Sequence, residues 1–477
     1  MLILLLSIPA VTCVLVRAMR SRRHIELIHV GAIFAMLESG GIVAFQGCID
    51  ALSTFMVAII IFLAAIAGIY SIGYMRHEFD ESHYAQVRLF YSLFHLFVFT
   101  MLLAVTTDNL GVMWIAIEGT TLSTVFLVNL HDNATGLEAA YKYLIISSVG
   151  IALAFLGTVL MYYAATGPLG GVGEIGLSWT ALIAAAARLN PTIVKLAFVF
   201  VLIGYGTKAG LAPMHTWLPD AHSEAPAPIS AMMSGVLLNV GLYAMMRFKA
   251  VTDVTAGPEF ASTWLMRFGL LSLGLAGAFL ISQRDYKRML AYSSVEHTGI
   301  AVLGLGFGGY WGVVGALLHM LNHALCKSML FVLSGNILLK YGTTEIRGVR
   351  GLLKAAPWTG LAFLFGVVAL IGMPPFGLFI SEFIIFRAGF AAHSAAYAIL
   401  GISLVALAFA GMLASLNQML YGGAGELPAG DRGGDPIGWA MAPLAINVVM
   451  LVGLGVMMPD SMRVFLGQIL KVLGVAA

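Results

Sequence analysis

Apolar runs fill this chain almost from end to end, and short polar stretches only punctuate them. A helix that crosses a bilayer needs about 20 mostly apolar residues. Fourteen stretches qualify: 1–18, 26–46, 50–72, 88–106, 108–130, 139–165, 192–221, 227–247, 263–282, 289–308, 310–339, 357–391, 395–421 and 440–458. The pattern predicts an all-α polytopic membrane protein of about 14 transmembrane helices, closed by a short amphipathic tail. Two stretches carry breaks. The seventh reads GTKAGLAPMHTWLPDAH, with Pro213 and Pro219, and the twelfth reads LIGMPPFGLFISEF, with Pro374 and Pro375. Proline removes a donor and frees carbonyls, so helices 7 and 12 are expected to be discontinuous.

Counted from helices 4 and 9, each broken helix is about the fourth of five. Interrupted helices at matching places are the sequence sign of two inverted repeats. The expected layout is residues 1–87 for three N-terminal helices, 88–248 for the first five-helix repeat, 263–421 for the second, and 422–477 for a loop, a last helix and the tail. Little residue identity links the two halves, and two unrelated proline kinks are the rival reading.

Composition narrows the function. The chain is 60% hydrophobic and 10% charged, against roughly 25% charged for a soluble domain. The longest polar stretch, around Gly422–Gly438, is too short to fold as a catalytic domain. A net charge of +2 gives no footprint for nucleic acid. Cys13, Cys48 and Cys326 are isolated, so no iron–sulfur cluster or structural zinc is expected, nor any other cofactor in this chain. The start lacks the basic region of a cleaved signal and reads as a retained first helix. Lys and Arg gather after helices 1, 3, 9 and 11, so the odd-numbered connections are expected to be cytoplasmic and both termini outside.

Against this background the ionisable residues inside apolar runs stand out. Glu118, Lys208, His222, Glu296, His297, His319, His323, Lys327 and Glu382 all lie in or beside predicted spans. A charge in hydrocarbon costs several kcal/mol or more unless paired, so a series of them reads as an ion or proton path. Glu118 would favour a charged Lys208 and burial would oppose it. Moving the carboxylate would then load or unload the lysine; a static ion pair is the rival. His222 follows the break in helix 7 and titrates near neutrality, whereas His215 reads as a surface-loop residue. His319, His323 and Lys327 recur every four residues and share a helix face. Paired histidines at that spacing also suit zinc, but no carboxylate or cysteine is evident beside them, so metal is not the expectation. Glu138 and Lys142 read as a surface pair, Lys195 as a residue reaching the outer interface, and Glu38 matches no motif.

Two stretches are specific beyond hydropathy: GTKAGLAPMHTWLPDAHSEAPAPISAMMSGVLLNVGLYAMMRF from Gly206 and QRDYKRMLAYSSVEHTGIAVLGLG from Gln283. Together they resemble the antiporter-like subunits of respiratory complex I, multisubunit sodium/proton antiporters and membrane-bound nickel–iron hydrogenases. The wording is most similar to the hydrogenase-4 component F branch. The resemblance implies fourteen helices, two inverted repeats and proton translocation along a central polar axis through Glu118, Lys208, His222, His297, His319, His323, Lys327 and Glu382. It makes Lys327 the second-half counterpart of Lys208. Several relatives carry lysine where this sequence has Asn239, which can hold water but cannot carry the proton, so Asn239 is a possible bridge. The implied partners are other membrane subunits and a peripheral redox arm with iron–sulfur and nickel–iron subunits, in a bacterial cytoplasmic membrane. A complex I or multisubunit antiporter subunit is the nearest alternative. A free-standing transporter or a non-pumping scaffold is the alternative of another class.

Overall fold

The computed structural model of the chain describes residues 1–170, 173–421 and 434–475, so residues 422–433 of the predicted polar loop lie outside the described residues. Among the described residues twenty α-helices follow one another: α1 Leu2–Ala18, α2 Arg22–Gln46, α3 Ala51–Glu78, α4 Tyr84–Thr106, α5 Leu110–Val128, α6 Ala134–Thr166, α7 Trp179–Ala185, α8 Pro191–Lys208, α9 Trp217–Glu224, α10 Ala227–Met232, α11 Leu238–Ala256, α12 Pro258–Ser282, α13 Tyr286–Phe307, α14 Gly309–Tyr341, α15 Leu352–Ala355, α16 Pro357–Leu370, α17 Gly377–Ala391, α18 Ala395–Leu420, α19 Leu444–Val456 and α20 Asp460–Val472. Among the described residues there is no β-strand, only two isolated bridges, Asn109–Ser178 and Asp285–Glu345.

Local chemistry explains where the helices begin. Asn109, Asn133, Asn190 and Asp285 each accept bonds from the first free backbone N–H groups of α5, α6, α8 and α13. Pro191, Pro258 and Pro357 open their helices, where a missing N–H costs nothing. A π turn over Met233–Leu237 joins α10 to α11. The two form one span from Ala227 to Ala256.

Eleven helices among the described residues are long and apolar enough to cross a membrane, and Leu2–Ala18 and Pro357–Leu370 are shorter apolar ones. The fourteen predicted stretches differ from that set for physical reasons. α13 carries Lys287, Arg288 and Glu296, which lower its hydropathy although nearly every residue is buried. The twelfth stretch is cut into α16 and α17. The seventh is cut likewise into α8 and α9. The joined α10–α11 span and α14 form the buried middle of the bundle, while α18 and α19 expose apolar side chains on the outside. α3 reaches into that middle: Tyr70 Oη donates to Asn336 Oδ1 on α14 at 2.9 Å.

The two breaks are built differently. Between α8 and α9, Leu211 N–H still reaches Gly206 O, and Trp217 Nε1 donates to the Thr207 carbonyl at 2.9 Å. Pro213 lies in this break, whereas Pro219 sits in the first turn of α9, where proline is tolerated. Between α16 and α17 the chain turns at Gly372, whose φ of +68° favours glycine. A side chain there would also collide with the carboxylate of Glu382. Pro374 and Pro375 lie exposed in this second break.

Candidate functional site

The end of α8 presents Lys208 to α5 and α6. The lysine is fully buried. Its Nζ donates to Thr121 Oγ1 at 2.6 Å and to Tyr143 Oη at 3.2 Å. Thr121 in turn donates to Glu118 Oε2 at 3.2 Å, and Ser148 donates to Glu118 Oε1 at 2.8 Å. The predicted acid and base therefore do meet, but through the Thr121 hydroxyl, the bond that links them in this structure. The aromatic face of Tyr143 lies 5.2 Å from Nζ and adds a cation–π contact. Glu118 itself is half-buried, so this cluster reaches from the core towards the outside of the bundle.

The second cluster is built from α13, α14 and α17. His297 Nδ1 lies 3.0 Å from His319 Nε2, and His319 Nδ1 lies 3.0 Å from Ser381 Oγ. Ser381 donates its own hydrogen to the Leu378 carbonyl at 2.9 Å. Its oxygen must then accept, so His319 carries its proton on Nδ1 and accepts from His297 Nδ1–H through Nε2. His323 packs at a tilt against His297, with ring centres 5.4 Å apart. Glu382 Oε1 stands 3.9 Å from His297 Nδ1. That carboxylate corrects the expectation that none lies near the histidines. It is brought by α17, more than fifty residues further along the chain.

One turn along α14, Lys327 donates to the Leu290 carbonyl at 2.7 Å and to the Ser293 hydroxyl. Glu296 is buried with one carboxylate oxygen unpartnered, and its charged neighbours are Glu382 and Lys327. His319, His323 and Lys327 thus share one face of α14, as their spacing predicts, and that face meets α13.

Between the clusters the expected stations sit unevenly. His222 is fully buried, stacks on Phe331 at 4.9 Å, and has no hydrogen-bond partner on either ring nitrogen. Lys327 and Lys287 are the charges acting on it, so it belongs with the second cluster. Asn239 Nδ2 donates to the carbonyls of Gly235 and Met320 at 3.0 and 3.2 Å, tying α11 to α14. A hydroxyl contact crosses from the π turn to α13, Ser234 to Ser294 at 2.7 Å.

Several side chains were missed by sequence reasoning: Thr121, Tyr143, Ser148, Ser234, Ser293, Ser294 and Ser381. Hydroxyls are too common in membrane helices to stand out without coordinates. A second expectation is overturned. His215 is buried rather than on a surface loop, and it packs against Phe279 and Tyr292 because the break folds inward. Glu138 pairs with Lys142 at 2.7 Å, as their spacing predicts, and the Lys195 ammonium lies over the Phe260 ring.

A sequence profile described as NADH:quinone oxidoreductase/Mrp antiporter, TM, matches residues 107–408, which include both clusters. The chain belongs to this antiporter-like family. A second profile, for the N-terminus of complex I chain 5, matches residues 40–85. The chain is 38% identical over 432 residues to a hydrogenase-4 component F homolog of Methylacidiphilum infernorum, covering 90% of this chain and 89% of that one. It is 31% identical to hydrogenase-4 component B of Escherichia coli, of which it spans about half, 54%, while 78% of this chain is covered. In three dimensions this family member is similar to a chain of the archaeal membrane-bound sulfane sulfur reductase, with a TM-score of 0.85, 21% identity and coverage of 99% and 97%. That likeness establishes the fold, and with the family match the chain is an all-helical, multi-pass antiporter-like membrane subunit.

Proposed function

We propose that this antiporter-like subunit translocates protons within a redox-driven membrane complex, of the group 4 hydrogenase or formate hydrogenlyase type. The observation that carries the reading is the continuous bond from Lys208 through Thr121 to Glu118 inside the bundle. A proton leaving Nζ for the threonine oxygen, as the threonine proton passes to Glu118, turns a lysine–glutamate pair into two neutral groups. Burial favours that neutral pair and a charged environment favours the ionised one, so a small change nearby shifts the proton. The second cluster offers the same chemistry with imidazoles. The path runs from Glu118 and Lys208, past Ser234–Ser294 and His222, to Lys327, His323, His297, His319 and Glu382. Asn239 acts here as a tie between helices.

The hydrogenase assignment rests on the 38% identity to a hydrogenase-4 component F homolog over nine-tenths of the chain. It implies neighbouring membrane subunits and a peripheral arm that holds the metals, with none needed in this chain for electron transfer.

The layout we favour is fourteen spans, with α4–α11 and α12–α18 as inverted repeats and both termini outside a bacterial inner membrane. Two matched features support the repeats. The fourth span of each set is the broken one. The second helix of each set is capped by Asn109 or Asp285, and both capping residues bridge to the loop that follows the third helix. In this layout Glu382, on a broken helix, stands opposite Lys208. Lys327 lies one helix earlier, so its likeness to Lys208 is chemical rather than positional.

The test is the partner list after gentle detergent extraction, with pumping per electron in sealed vesicles. Co-purifying nickel–iron subunits support the reading. A quinone-reducing arm or a set of antiporter subunits alone would replace it with the complex I or Mrp alternative. Pumping per electron unchanged in Lys208→Ala would leave a scaffold.

A further inference from the structure

The second cluster brings together more than a relay needs. His297, His319 and Glu382 each offer one ligand atom, and the three atoms lie within 4.8 Å of one another. We infer that this buried triad is a binding site for a divalent cation of the zinc class, and that the cation closes the second half of the axis.

The donor set decides the class of ion. Two imidazoles and a carboxylate suit zinc and its neighbours in the first transition row, whereas magnesium and calcium want oxygen. Three protein ligands leave a fourth position for water, the open form of a zinc site. The geometry needs little adjustment. Zn–N bonds are about 2.1 Å, so two tetrahedral ligand nitrogens stand about 3.4 Å apart. His297 Nδ1 and His319 Nε2 stand at 3.0 Å. Glu382 Oε1 stands 3.9 Å from the same Nδ1.

The support around the ligands is already of the right kind. A metal-bound histidine uses one nitrogen on the ion and donates the other to a fixed acceptor. Ser381 holds the His319 Nδ1 proton, because its own hydrogen is committed to the Leu378 carbonyl. The Nε2 lone pair of His319 therefore points into the site with nothing to reorganise. The cation would replace the proton that His297 Nδ1 now donates, and that proton moves to the unpartnered Nε2 of the same ring, which stays neutral. The Glu382 carboxylate lies against Gly372 in the α16–α17 break, where Met373, Pro374 and Pro375 are exposed, so the break is the route of entry the proposal implies. Lys327 opposes a cation here, and Glu296, buried near both Lys327 and Glu382, offsets it only when ionised.

Closure follows from competition: the ion occupies the place of the shared hydrogen between the two histidines. This half of the inference rests on the proposed proton path, whereas binding does not. The experiment therefore reads the two separately, on the intact complex from its own membrane, stripped with a chelator and then given ZnCl2 or CoCl2. Binding is read as metal retained per complex after desalting, and as the visible spectrum of nitrogen- and oxygen-ligated Co2+. The wild type should hold one more ion than His319→Gln and than Glu382→Gln, and should show the spectrum that both variants lack. Ser381→Ala, which removes no ligand, should weaken binding about 10- to 100-fold. Zinc should lower pumping per electron over the same concentrations that fill the site, reversibly with EDTA. Equal metal content in the wild type and both variants, or no Co2+ spectrum in the wild type, overturns the site. Filling that leaves pumping unchanged keeps the site and removes the cluster from the path.

Discussion

On the proposed path the two clusters would use different chemistry for one task. The first has a single base and a single acid with one hydroxyl between them, Lys208–Thr121–Glu118. Every link is made, and the acid is half-buried at the edge. The second is dense in imidazole, lies wholly inside, and is interrupted. The sequence His297 to His319 to Ser381 ends on the Leu378 carbonyl, which cannot pass a proton on. Glu382 waits 3.9 Å from His297, beyond direct hydrogen-bond reach. The first cluster is set to exchange a proton as it stands. The second must first turn a ring, admit a water or move the carboxylate. A pump needs such a difference, because two half-paths connected at once would leak.

If that contrast is right, the first cluster should be the more sensitive to substitution. Lys208→Ala should abolish pumping per electron in sealed vesicles, with electron transfer through the complex measured beside it as the control. Lys208→Arg should fail as well, since arginine does not release its proton. Thr121→Val keeps acid and base but removes the hydroxyl between them. Hydrogen bonds to charged groups are worth about 1.5–3 kcal/mol, so a loss on the order of tenfold is expected. A normal rate in Thr121→Val would show that the pair does not exchange through this oxygen.

The second cluster should yield smaller effects that report on position. Gly372→Ala places a side chain at φ +68° and against the Glu382 carboxylate. The backbone alone should cost about 1–2 kcal/mol, seen as a lower melting midpoint, and displacing Glu382 should lower pumping further. A stable protein with full pumping would mean that the carboxylate tolerates displacement. Glu118→Gln should reduce pumping only a few-fold, because Lys208 keeps Thr121 and Tyr143 as partners; an effect as large as Lys208→Ala would make the carboxylate an obligatory carrier. Ser381→Ala should be mildest in the absence of metal. It frees the His319 ring to change tautomer, and its readout is a changed pH profile of pumping at nearly full rate. A profile identical to the wild type would remove the serine from the relay.

Much of this was legible in the residues. Eleven of the fourteen apolar stretches contain helices, among the described residues, that are long and apolar enough to cross a membrane, and Pro213 and Pro374 fall in the two breaks. The four-residue spacing of His319, His323 and Lys327 placed them on one face. Where the sequence misled, it did so at folded-in loops and distant partners. His215 looked like a loop histidine because nothing local shows that the break turns inward. The histidines looked free of carboxylates because Glu382 is remote in the chain.

The amino-acid order by itself determined hydropathy, helix caps, breaks and which ionisable groups must be shielded, since each depends on a residue and its near neighbours. Side chains within one helix turn can be related by the 3.6-residue period alone. Only the tertiary structure decided that Lys208 meets Glu118 through Thr121, that His222 joins the second cluster, and that Glu382 stands beside His297. Those contacts cross between helices, and their distances follow from how whole helices pack, where an ångström separates a bond from a gap.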